Sequence, residues 1–156
     1  MAMAFTLQKY LDRKGVNYEL FQHPYTSSCM QSAEVAHIHG DQIAKGVVLG
    51  DDIGYLMAVV PATHHVQLGK LHNTLDRYLG LVTEQELADL FKDCDVGAIP
   101  PLGDAYGMPV VMDESLTACP DIYFEAGDHE DLVHVSGEDF KALMSSAGKG
   151  LFSQHI

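Results

Sequence analysis

Basic residues are scarce in this chain: nine lysines and arginines stand against 22 aspartates and glutamates, a formal net charge of −13 over 156 residues. That deficit argues against tight, nonspecific nucleic-acid binding, which draws on a basic field that attracts phosphates and releases counterions. Local, brief or assisted contact with RNA is still open to it. Nine histidines can carry part of the missing charge at mildly acidic pH, because an imidazole ordinarily titrates at about pH 6.5. Long apolar runs are also missing. The longest, around residues 55–62, is strand-sized, well short of the roughly 18 to 20 residues of a membrane helix. The first five residues lack the basic start and apolar stretch of a signal peptide, so the expected location is the cytoplasm. Cysteine is sparse as well. Cys29, Cys94 and Cys119 are odd in number and lack metal-type spacing, which suits a reducing compartment and reads each as a buried or incidental thiol rather than a nucleophile.

Several catalytic signatures are absent. His37 and His39 are two apart and His64 and His65 adjacent, and none has the His-Glu-x-x-His spacing that puts two metal ligands on one helix face. No Gly-x-Ser-x-Gly elbow, glycine-rich phosphate cradle or dinucleotide fingerprint occurs. Neither a metal nor a cofactor is expected.

What is present suits one globular domain spanning residues 1–156: 47% hydrophobic residues, 20% charged and no low-complexity tract. Leu7, Tyr10 and Leu11 share a helical face before a stop at Gly15, and residues 16–21 alternate as a strand. Ser32 can cap a short helix over 33–39. Residues 43–49 and 55–60 are β-branched and apolar around Gly50-Asp51-Asp52-Ile53-Gly54, a hairpin signal. Val66, Leu68, Leu71 and Leu75 recur at helical spacing behind Pro61, and Thr83 with Glu86 forms a capping box. Residues 93–108 read as a loop and 109–112 as a strand. A second hairpin is expected from 122–125 and 131–135, followed by a helix over 137–145. Hairpins interspersed with helices predict a mixed α/β (α+β) fold.

Two features could carry chemistry. Lys45 sits in Ile43-Ala44-Lys45-Gly46-Val47-Val48-Leu49, where buried neighbours oblige its charge to find a partner or an opening to solvent. The plainer alternative is an edge-strand lysine that guards against aggregation. The loop Gly97-Ala98-Ile99-Pro100-Pro101-Leu102-Gly103 combines permissive and rigid backbone, which suits a fixed wall presenting amide groups to an oxyanion or carbonyl oxygen; by itself it is an ordinary connection.

The order of these segments, with Val59-Val60-Pro61 between them and Phe124-Glu125-Ala126-Gly127 after them, resembles the YbaK/aminoacyl-tRNA-synthetase-associated domain. This module occurs in free-standing YbaK/EbsC/ProX-type deacylases and as an editing insertion in bacterial prolyl-tRNA synthetases. The resemblance covers about residue 18 to the last helix. It implies a curved mixed sheet with a barrel-like core flanked by helices, and a pocket for the 3′ end of aminoacyl-tRNA, where the ester joining amino acid to ribose is hydrolysed. It implies catalytic roles for Lys45 and for the Gly97, Ala98, Ile99 and Pro101 loop, and substrate contacts from Gly46, Pro100, Gly127 and His129. Pro100 departs from relatives with a serine there, and supplies neither hydroxyl nor amide hydrogen. Gly46 stands where some members have a polar residue.

No residue is an obvious general base, so the resemblance favours water activated by the substrate's own ribose hydroxyl or amine. Alanine on proline tRNA is the leading expected substrate, with cysteinyl and seryl charges behind it. The expected partner is the 3′ end of aminoacyl-tRNA, delivered with help from a synthetase or elongation factor, with no DNA and no membrane. The alternative is a non-catalytic module of the same fold that captures a small amino-acid- or nucleotide-like ligand, which the acidic composition favours slightly.

Overall fold

The computed structural model describes residues 3–24, 38–95 and 97–155. The helix expected over 33–39 falls largely on residues 25–37, outside the described residues; Ile38 and His39 are not helical.

Helix α1 (Phe5–Lys14) buries Leu7, Tyr10 and Leu11, and stops at Gly15, whose φ of 67° makes the left-handed cap that a side chain resists. Strand β1 (Glu19–Gln22) is shorter than its alternation predicts, and all four residues are exposed. Val16 and Tyr18, just ahead of it, pack on the core instead.

The expected first hairpin forms as β2 (Ala44–Gly50) and β3 (Tyr55–Pro61), in antiparallel register from Ala44↔Pro61 to Gly50↔Tyr55. Asp51 fixes its turn by accepting the Ile53 and Gly54 amides. The Arg77 guanidinium grips the same carboxylate at 2.8 and 2.6 Å and, as its principal influence, holds it well below the usual carboxylate range.

The helical pattern expected from Val66 onward starts later. Val66 belongs to β4 (His64–Val66), and helix α2 runs Leu68–Leu75. The chain stays extended because β4 pairs with β10 (Ser153–His155) at the far end of the sequence, a partner no local window contains. Beyond β5 (Gly80–Leu81), helix α3 (Glu84–Leu90) opens with both halves of the predicted box: Thr83 Oγ accepts the Glu86 amide at 3.1 Å and the Glu86 carboxylate accepts the Thr83 amide at 3.2 Å. Thr83→Ala should lower stability by about 1 kcal/mol in urea unfolding, and an unchanged midpoint would show that the cap contributes nothing.

Strand β6 (Val110–Asp113) runs parallel to β3 and to β9 (Gly148–Gly150), which completes a mixed five-stranded sheet ordered β5-β2-β3-β6-β9. Strands β7 (Asp121–Glu125) and β8 (Asp131–Ser136) form the second predicted hairpin and, with β1, a separate three-stranded sheet ordered β1-β8-β7. Helix α4 (Gly137–Leu143) follows, its amide at Asp139 capped by Ser136 Oγ. The described strands thus divide among three sheets, without a closed barrel. Between the two larger sheets lies the main core, where Met57, Val59 and Met112 meet Ile122, Phe124, Val133 and Phe140. None of the described helices is long and apolar enough to cross a membrane.

Candidate active site

Lys45 lies on β2, which pairs with β3 along its whole length but with β5 only at Leu49 and Gly50, so the strand edge beside Lys45 faces β7, bridged at Ile43–Tyr123, and the edge-guard alternative stays open. Residues alternate across a strand. Ile43, Lys45, Val47 and Leu49 therefore look one way, and Ala44, Gly46 and Val48 look toward the main core. Lys45 Nζ donates to the Ala62 carbonyl at 3.3 Å. Ala62 packs with Ile43 and Leu132, and Ile43 is bridged in parallel to Tyr123 of β7. The half-buried ammonium therefore stands at the junction of the two sheets. Carrying the Ile43–Tyr123 register two residues along both strands brings Lys45 level with Glu125, which is fully buried and pairs with Leu132.

Polar burial is concentrated there. Of the seven buried polar or charged residues among those described, His23, Glu125, Asp128, His129 and Asp131 lie at the end of β1 or in and beside the β7–β8 turn. Interiors reject such groups unless they are paired or used, so five together make this the candidate functional region. The turn is set by Gly127 at φ 107° and by His129 at φ 61°, a left-handed conformation uncommon for histidine. Asp128 Oδ1 accepts the amides of Glu130 and Asp131 at 3.0 and 2.9 Å. His23 donates its backbone amide to Glu130 and keeps Nε2 buried without a hydrogen-bond partner among the described residues.

Burial, reinforced by the hydrogen bond to Asp128 and that carboxylate's charge, pushes Asp131 up to about 7. Burial also opposes ionisation of Asp128, but hydrogen bonds from Asp131 and the turn amides outweigh it and hold Asp128 below the usual value. The pair thus shares one proton near neutrality. Because the folded state holds the Asp131 proton more tightly than the unfolded chain, this contribution to stability is complete below the ordinary value of 3.8, declines as pH rises, and is gone above about 7. Asp131→Asn should flatten that decline in thermal melts between pH 4 and 7; an unaltered slope would remove Asp131 as its source.

The predicted loop reaches this turn through its backbone. Asp95 N–H donates to Gly127 O at 2.7 Å, and Ala4 N–H donates to Ala126 O at 2.8 Å. Gly97 is exposed with φ 87°, while Pro100, Pro101, Leu102 and Gly103 are buried and form a rigid wall. The Ala98 amide is already spent on Asp95 O at 3.1 Å, so it is not the oxyanion donor that the resemblance suggests. The Ile99 side chain packs on the main core.

Two expected substrate contacts are placed differently. A Cβ at Gly46 would meet Met57 Sδ at 2.7 Å, so this glycine makes room for the core on the face opposite Lys45. A Cβ at Gly127 would meet Ala4 Cβ at 2.9 Å and Cys94 Sγ at 3.3 Å. Gly127 therefore clamps the N-terminal segment and the loop to the turn. The sequence reading missed Glu125, Asp128, Asp131 and His23. The first two, with Gly127 and His129, lie in one short stretch, and a run of polar residues between two apolar strands gives no sign that it will be buried. Cys94 is no nucleophile at neutral pH: burial above all pushes its thiol up to about 12. Burial also raises Cys119.

The family model for the aminoacyl-tRNA editing domain matches residues 23–143 of this chain. No curated protein matches at a comparable level. Among solved structures, one described as a candidate trans-editing enzyme for prolyl tRNA synthetase superposes with a TM-score of 0.83 at 22% identity, over 96% of this chain and 95% of that one. A scaffold protein used in computational epitope grafting gives 0.83 at 20% identity, over 97% and 96% of the two chains. A candidate signal-transduction protein from Marinobacter aquaeolei gives 0.79 at 20% identity, but this chain spans only 31% of it. These structural likenesses establish a shared fold.

Proposed function

The chain belongs to the family of aminoacyl-tRNA editing domains, and from that premise we propose that it is a deacylase that hydrolyses the ester between a mischarged amino acid and the terminal ribose of tRNA. Alanine on proline tRNA is the leading substrate, with cysteine and serine behind it. A cytoplasmic setting suits such a substrate. The observation that carries the reading is the ammonium of Lys45, half-buried where the two sheets meet and level with a turn full of buried polar groups.

In the proposed reaction a water molecule adds to the ester carbonyl carbon as its proton passes to the substrate's own amine, or to the free ribose hydroxyl, which hands its own proton on to the leaving ribose oxygen. The carbonyl oxygen becomes an oxyanion, and the intermediate collapses by breaking the bond to the ribose oxygen, which takes up a proton. Free amino acid and uncharged tRNA result. Lys45 offsets the developing charge or holds a ribose or phosphate oxygen, and the Ile99 amide is a second donor on the rigid wall of Pro100 and Pro101. His129, fixed in its left-handed turn, lines the amino-acid side. A synthetase or elongation factor would deliver the substrate to so acidic a protein.

The test is release of labelled amino acid from alanyl-, cysteinyl- and seryl-tRNA of the proline isoacceptor. Turnover of at least one is expected. A second reading, a binding module without turnover, draws support from the occurrence of this fold as a minor part of the candidate signal-transduction protein. Saturable binding of an uncharged 3′ end with no hydrolysis of any of the three esters would favour it and sink the deacylase.

A further inference from the structure

The face of the three-stranded sheet turned away from the main core carries three aromatic rings, of which Tyr123 also packs beside Ile43, Ala62 and Leu132. Phe21 is 41% exposed on an edge strand whose four residues are all exposed. Its ring meets Tyr123 edge-on at 5.7 Å and His134 at 5.9 Å, and Tyr123 and His134 stack on each other at 4.7 Å. The register aligns Phe21 with Leu132 and Glu125, and Glu19 with His134 and Tyr123, so all three rings stand on one face. His134 is held from both sides, by Asp121 at 2.8 Å and Glu19 at 3.4 Å. A preset ring array with one member partly open to solvent offers a ready face for a further flat ring.

We propose that Phe21, Tyr123 and His134 form a stacking platform for an unpaired base at the 3′ end of the RNA whose terminal ester occupies the Lys45 site. Two observations select this occupant. The face is continuous with that site: Tyr123 is bridged to Ile43, two residues, or about 7 Å of strand, from Lys45. The surroundings also exclude a phosphate, because Glu19 and Asp121 flank the rings. A base offers a π-face without charge, so stacking supplies affinity that nine lysines and arginines in a chain of net charge −13 do not. This inference rests on the deacylase reading only for the position of the ester.

The experiment uses an uncharged single-stranded oligonucleotide ending in CCA with 2-aminopurine as the last base, titrated into the full chain. Wild type should quench the probe, with a log–log salt dependence shallower than about one ion released. Phe21→Ala should raise Kd by about tenfold or more while the circular-dichroism spectrum shows the fold retained, the thermal midpoint falling only by the loss of two edge-on ring contacts. Phe21→Trp should retain binding, and, since the chain has no tryptophan, its emission reports directly on stacking against an unlabelled CCA oligonucleotide. On charged tRNA, Phe21→Ala should raise KM and leave kcat within about twofold. Wild-type-like binding by Phe21→Ala, a salt slope of several ions, an unquenched Phe21→Trp, or no binding by wild type would each overturn the platform. Ester hydrolysis with KM unmoved in Phe21→Ala would overturn it while leaving the deacylase reading intact. Stacking of the oligonucleotide without hydrolysis of any charged tRNA would do the reverse.

Discussion

Lys45→Ala should lower kcat/KM for aminoacyl-ester hydrolysis by about 100- to 1000-fold, the range seen when one donor to a developing oxyanion is removed from a water-poor site. Its ammonium is half-buried and anchored to Ala62 O, so its position is set before substrate arrives. A preset charge stabilises the transition state without reorganising, and the low local dielectric strengthens it. The fold should survive, because the shortened side chain withdraws one donor from the Ala62 carbonyl, a loss of about 1 kcal/mol for that bond. Lys45→Arg should not restore the rate: a planar fork cannot substitute for a compact ammonium on the same stem. Single-turnover hydrolysis with folding followed by circular dichroism is the measurement. Wild-type rates in folded Lys45→Ala would assign this lysine a structural role and move the chemistry elsewhere.

Gly127→Ala should lower stability by about 2–4 kcal/mol. Two costs combine at this position. A φ of 107° is strained for any L side chain, and the new methyl would press on Ala4 Cβ at 2.9 Å and Cys94 Sγ at 3.3 Å. Those neighbours belong to the N-terminal segment and the loop, so the substitution should also detach Asp95 from Gly127 O and loosen the wall that carries Ile99. Ala4→Gly in the same chain should recover the Ala4 share of the steric cost and leave the Cys94 contact and the backbone part. Urea unfolding of the two single variants and the double variant measures this coupling; strict additivity would show that Ala4 and a side chain at 127 do not meet.

The elements written locally in the sequence form where they are written. The Thr83–Glu86 box, the Gly15 stop and the two hairpins depend on neighbours within a few residues, and a local window holds all of that information. Val66 illustrates the opposite case. Its helical spacing was overruled by a pairing with Ser153, 87 residues away. Glu125 shows the same limit within the site. Among Phe124, Ala126 and Gly127 it reads as an ordinary strand-end carboxylate, and only the bridge of Ile43 to Tyr123 brings it level with Lys45.

By itself, the sequence determined the fold class, the position of most strands and helices, and the order of segments that marks an aminoacyl-tRNA editing domain. It also singled out Lys45 and the Gly97–Pro101 loop. Only the tertiary structure decided that Gly46 faces the core and not Lys45's side, that the Ala98 amide is already taken, and that five polar residues share one buried end of the molecule. The physical reason is that side-chain type and local spacing fix periodicity, whereas burial, amide satisfaction and the facing of distant strands depend on which segments meet across the chain.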